Sequence, residues 1–164
     1  MSAIVDLMNA SSESAVPSQT DFELWSDAVL QELSQNEQSF ELGIRLVDEN
    51  ESAELNQKFR NKQGSTNVLS FTYTDILAEA QYSLLGDLAI CSQVVIREAQ
   101  EQQKAASAHW AHMAIHGMLH LLGHDHQDDV EAEGMEQLES VILAKLGYPN
   151  PYTQTYNDQQ KDKE

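Results

Sequence analysis

The stretch His116-Gly117-Met118-Leu119-His120-Leu121-Leu122-Gly123-His124-Asp125-His126 decides how this chain is read. On an α-helix His116 and His120 stand four residues apart, so their side chains project about 40° from each other and lie roughly 6 Å apart, one turn along the axis. Two imidazoles so placed can share one metal ion. Gly123 tolerates the left-handed backbone that ends many helices, which lets the chain turn back and bring His126 to the same point. Three nitrogen ligands with an open fourth position describe a catalytic metal site rather than a closed structural one. Zinc is the expected ion because three imidazoles suit it, and zinc held this way lowers the pKa of a bound water to about 7. A lone histidine is more often a hydrogen-bonded core residue, but three at this spacing outweigh that reading.

Working outward, the helix that carries the motif begins near Ser107 and is apolar on most faces through Trp110, Met113, Ile115, Leu119 and Leu122, so it is expected to be the buried central helix. Its polar stripe is His109, His112, His116 and His120, within about 80° on a helical wheel. His112 is expected behind the site or facing substrate, and His109 to be structural or exposed. Asp125 is a candidate to orient a ligand imidazole by accepting its free N–H. Asp128, Asp129 and Glu131 suit the start of a last helix, whose expected core face is Met135, Leu138, Val141, Ile142 and Leu146, ending at Gly147. The polar tail 149–164 is expected to fray.

The spacing H-x-x-x-H-x-x-G-x-x-H is shared with the metzincin zinc proteases, which carry a glutamate directly after the first histidine as general base. Gly117 stands there instead. The local sequence more closely resembles the YbeY family of bacterial rRNA maturation factors, whose signature runs His-Gly-x-Leu-His-Leu-x-Gly-Tyr-Asp-His; the one departure is His124 in place of the tyrosine. Arg60, the run Ser65-Thr66-Asn67-Val68-Leu69-Ser70-Phe71, the run Leu85-Gly86-Asp87-Leu88-Ala89-Ile90-Cys91, and Ala108-His109-Trp110-Ala111-His112 are similar to that family as well. The likeness covers about residues 40–148. It implies a zinc-dependent endoribonuclease acting on single-stranded RNA in ribosomal RNA maturation and ribosome quality control, in the cytoplasm, with the ribosome or its proteins as partners. A zinc metallopeptidase, or a non-catalytic zinc-containing ribosome assembly factor, is the alternative.

A chain of 164 residues with 41% hydrophobic content is long enough for one core and short for two, so residues 1–148 are read as a single metal-dependent hydrolase domain. Neither a long apolar run nor a basic leader is present, which argues against a membrane partner and for the cytoplasm. Cys91, the single cysteine, is read as a small core residue. The net charge of −18 opposes general affinity for nucleic acid, and DNA is not an expected partner. Yet Lys58, Arg60 and Lys62 cluster before a polar loop. A local cationic patch beside a metal can engage one or two phosphates, and Arg60, with its planar fork, is the best candidate for stabilising transition-state charge.

The remaining pattern predicts an α+β fold: a mixed sheet of about four strands packed by about five helices, with the metal site on a central helix and its following loop. Strands are expected over residues 1–8, 39–48, 68–73 and 84–91, the last broken early by Gly86-Asp87, with a variable loop over 74–83. The last two should pair antiparallel. Helices are expected from Thr20, capped by it with Glu23 three residues on, to about Ser34, from Asp48 as cap through about Phe59, and from Ser92 as cap to about Lys104.

Overall fold

The computed structural model describes residues 3–33, 39–72 and 82–152. Four strands, β1 (Ala3–Asn9), β2 (Ser39–Val47), β3 (Val68–Thr72) and β4 (Tyr82–Cys91), form one sheet in the order β1-β2-β4-β3. The first two contacts are parallel, and β3 runs antiparallel to β4, as the short connection between them implies. Five helices complete the described chain: α1 (Gln19–Glu32), α2 (Glu49–Arg60), α3 (Ser92–Glu101), α4 (Ala106–Leu121) and α5 (Asp129–Lys145). This is the expected mixed α+β architecture.

Strand residues alternate between faces, and the alternation assigns the core. Val5, Phe40, Leu42, Ile44, Leu46, Leu88 and Ile90 are buried with Phe22, Trp25, Val29 and Leu30 of α1 and with Trp110, Ile115, Met118 and Leu119 of α4. The opposite face carries Arg45, whose guanidinium pairs with Glu51 of α2 at 2.6 Å, placing α2 there. Helix α4 is the central element, in contact with α1, α3, α5, β3 and β4.

Several local expectations shift. Ser18 rather than Thr20 caps α1: its hydroxyl accepts from the Asp21 N–H at 3.2 Å while Asp21 accepts from the Ser18 N–H at 3.0 Å, a reciprocal pair that starts the helix earlier than Thr20 and Glu23 would. Asp48 occupies the cap position of α2, but its carboxylate turns away to accept from Gln93, Ser11 and Ser12. Cys91 holds the cap position of α3, and Ser92 is its first residue. That helix stops at Glu101 because Gln103 takes a left-handed backbone with φ 55°. Gly86 does not break β4; it sits where the β2 register skips a residue, with φ 145°, and a Cβ there would lie 2.1 Å from the Phe71 carbonyl oxygen. Val141 is 38% exposed rather than core. The expectations for residues 1, 2, 34, 73 and 74–81, and for 153–164 of the tail, lie outside the described residues.

Candidate metal centre and cleft

Helix α4 presents His116 and His120 on successive turns, and Gly123, at φ 98°, turns the chain back after it. The turn is tied by the His124 N–H donating to the Leu119 carbonyl at 3.0 Å. His126 then returns to the helix. The ligating atoms of His116, His120 and His126 lie within 4.8 Å of one another, a group able to hold one metal ion. Their rings stand 4.7 to 5.6 Å apart between centroids. Partial burial, followed by the neighbouring His116 and His126, holds the His120 pKa below the usual histidine value. Neutral imidazole is the form that binds a metal.

Behind His116 lies a carboxylate that sequence reading passed over. Glu139 of α5 is fully buried, and its Oε1 accepts from His116 Nδ1 at 2.5 Å. That bond fixes the proton on Nδ1 and leaves Nε2 as the lone-pair nitrogen. The other carboxylate oxygen accepts from the Tyr152 hydroxyl. His112 Nε2 lies 3.1 Å from that same hydroxyl and 3.6 Å from Glu139 Oε2, so His112 sits behind the site, one of the two places expected for it. Burial raises a carboxylate pKa, but the neighbouring imidazoles of His112 and His116 outweigh it and hold Glu139 down at about 2. Burial, reinforced by Glu139, pushes the Tyr152 phenol up. Burial pushes the His112 pKa down, and because the Tyr152 hydroxyl already donates to Glu139, its oxygen is left to accept from His112 Nε2–H.

Asp125, the candidate imidazole partner, instead accepts from the backbone N–H of His126 at 2.7 Å. It shapes the returning loop, and Glu139 does what was expected of Asp125. His109 is buried, its Nε2 2.9 Å from a Glu98 oxygen, which is a structural placement. The tail does not fray at its start: Pro151 is buried and Tyr152 reaches Glu139.

The three histidines open onto a cleft of about 560 Å³ also lined by Arg60, Thr66, Asn67, Ser70, Asp125 and Gln127. Arg60, the last residue of α2, is exposed and lines this cleft. The loop beyond it is held by buried polar side chains of α2. Ser52 bonds both the N–H and the carbonyl of Thr66 at 3.0 Å, and Asn56 donates to the Gly64 carbonyl at 2.9 Å. Asn67 is fixed by the Glu98 carboxylate at 3.2 Å.

Residues 6–147 match the family model described as Endoribonuclease YbeY. This chain belongs to the YbeY family. It is 48% identical over 153 residues to the Endoribonuclease YbeY of Colwellia psychrerythraea, covering 93% of this chain and 98% of that relative. To the Endoribonuclease YbeY of Pseudomonas savastanoi pv. phaseolicola it is 52% identical over 147 residues, covering 90% of this chain and 87% of the other. The solution structure of TM1509 from Thermotoga maritima superposes with a TM-score of 0.57 at 21% identity, covering 97% of this chain and 93% of that one. That likeness establishes the fold alone.

Glu139 and Tyr152 carry weak but readable signals. In α5, Glu139 falls four residues after Met135 and three before Ile142, inside the apolar stripe, where a charge is costly unless paired. Tyr152 is an aromatic after Pro149 and Pro151 in an otherwise polar stretch.

Proposed function

We propose that this YbeY-family chain is a zinc-dependent endoribonuclease that cleaves single-stranded RNA in ribosomal RNA maturation and ribosome quality control. The observation that carries it is the cleft: three imidazoles with ligating atoms within 4.8 Å of one another share one cavity with the guanidinium of Arg60. The relatives named Endoribonuclease YbeY supply the substrate class. The donor set suits zinc, since three imidazoles, one of them oriented by a buried carboxylate, match its preferred ligands. When bound, the ion supplies an activated water and a Lewis acid for a phosphate oxygen.

The chain's own residues supply the rest. His116, His120 and His126 hold the ion, and Glu139 holds the His116 ring in the tautomer that ligates. Arg60 neutralises the phosphate as negative charge grows in the transition state. Thr66, Asn67 and Ser70 offer neutral hydrogen-bonding groups along the same cleft. With a net charge of −18, contact with RNA is confined to this patch and the metal, so binding to bare RNA is weak and ribosomal partners supply the targeting. Residues 1–148 form the hydrolase domain and 149–164 a polar tail, the site of action being the cytoplasm. Among the described residues no helix is long and apolar enough to cross a membrane.

The peptidase alternative is disfavoured by packing as well as by sequence. A Cβ on Gly117 would lie 2.8 Å from Leu88 Cδ2 and 3.1 Å from Val68 Cγ2, so this position faces the sheet and has no room for a glutamate base. Metal analysis of His116→Ala, His120→Ala and His126→Ala tests the assignment. Each is expected to lose zinc, whereas His109→Ala and His124→Ala keep it. Full occupancy and affinity in the three variants would place the metal elsewhere.

A further inference from the structure

The last turn of α2 sets Lys58, Phe59 and Arg60 in succession. Arg60 lines the histidine cleft, but Phe59 lines a separate cavity of about 860 Å³, together with Phe71, Leu55, Asp6 and Asp87. Phe59 is 56% exposed, a large apolar side chain left in water between two cations. Its ring meets the edge of Phe71 with centroids 5.1 Å apart, and the Lys58 ammonium lies 5.2 Å from its centroid. Strand β3 divides in the same way, with Ser70 lining the cleft and Phe71 the cavity. Among the described strands β3 is the sheet edge, so a polymer passing over it reaches both places.

We propose that Phe59, backed by Phe71, is a nucleobase-stacking subsite for the nucleotide flanking the phosphate held at Arg60. The proposal rests on the ribonuclease reading and names how that substrate is gripped. Every base presents a π-face, so an aromatic platform beside cations suits a single strand without demanding a sequence. Charge fixes the orientation. Lys58, its ammonium against the Phe59 ring, and Arg60 of the neighbouring cleft flank Phe59, while the cavity itself is lined by Asp6, Asp87 and Glu51 against one cation, Arg45, which Glu51 pairs at 2.6 Å. Phosphate is attracted to the flanking cations and repelled from the interior, so the group that enters is a base.

The test is the dissociation constant for a short single-stranded RNA, read by fluorescence anisotropy on the full chain in chelator and low salt, so that no cleavage intervenes. Phe59→Ala is expected to weaken binding roughly 5- to 100-fold, and Phe59→Trp to retain it. An abasic nucleotide walked through the RNA should cost the wild type a similar factor at one position, and that position should become silent in Phe59→Ala. If Phe59→Ala binds as tightly as wild type while Arg60→Ala binds weakly, the stacking subsite is wrong, this face belongs to a protein partner, and the ribonuclease reading stands. If the wild type binds no RNA even in low salt, the stacking subsite falls, and the ribonuclease reading is decided separately by cleavage with zinc present.

Discussion

Glu139 Oε1 lies 2.5 Å from His116 Nδ1, so a buried carboxylate of α5 fixes the ring of a proposed metal ligand on α4. The pair joins the two helices that flank the motif turn, and it couples packing of the C-terminal half to the geometry of the histidine cluster.

Replacing Glu139 by Gln keeps the volume but loses the charge that holds the His116 proton on Nδ1. Zinc affinity is expected to fall roughly 10- to 100-fold. Competition with a chromophoric chelator measures it, and unchanged affinity would reduce Glu139 to a packing residue.

Arg60 is exposed at the end of α2 and lines the cleft, so Arg60→Ala should leave zinc content and melting temperature nearly unchanged. RNA cleavage should drop sharply if the guanidinium acts on the transition state as proposed. A large loss of stability with normal turnover would reverse that assignment.

Much of this was legible in the sequence. Period-two runs such as Phe40, Leu42, Ile44 and Leu46 locate β2 and its buried face, and the antiparallel β3–β4 pair follows from their short separation. His116, His120, Gly123 and His126 point to the histidine cluster because helical spacing and a left-handed glycine are local geometry. Glu139 and Tyr152 were hidden because their roles depend on how α5 and the tail pack against α4. The Ser18 cap was missed for a related reason: two hydroxyl residues stand two positions apart in Ser18-Gln19-Thr20, and only the backbone direction selects between them.

Two glycines in helices make a paired prediction about packing. Gly117→Ala gains about 1 kcal/mol of helix propensity but overpacks Leu88 and Val68 by about 1–3 kcal/mol, so a net loss and a lower melting temperature are expected. Gly134→Ala in α5 meets nothing within 4 Å and should stabilise by about 1 kcal/mol. Thermal denaturation of both variants checks the contrast.

Asp48 ties the loop after β1 to α3, and hydrogen bonds from Gln93, then from Ser12 and Ser11, hold its carboxyl down at about 2. A carboxylate depressed in the folded state contributes stability above its unfolded pKa, near 3.8, and loses it as pH falls towards 2. Asp48→Asn should therefore be less stable than wild type at pH 5, with the gap closing by pH 2. Denaturant midpoints across that range read the difference.

The central claim is that the three histidines hold a metal that cleaves RNA. The most direct measurement is cleavage of a labelled single-stranded RNA by wild type and His120→Ala, purified in parallel because contaminating ribonucleases mimic activity. The wild type should cut, stop in chelator, recover with zinc and show a shallow dependence on salt, since few phosphates are contacted; His120→Ala should not cut. Equal cleavage by the two proteins, or chelator-sensitive cleavage of a peptide instead of RNA by wild type alone, would contradict it.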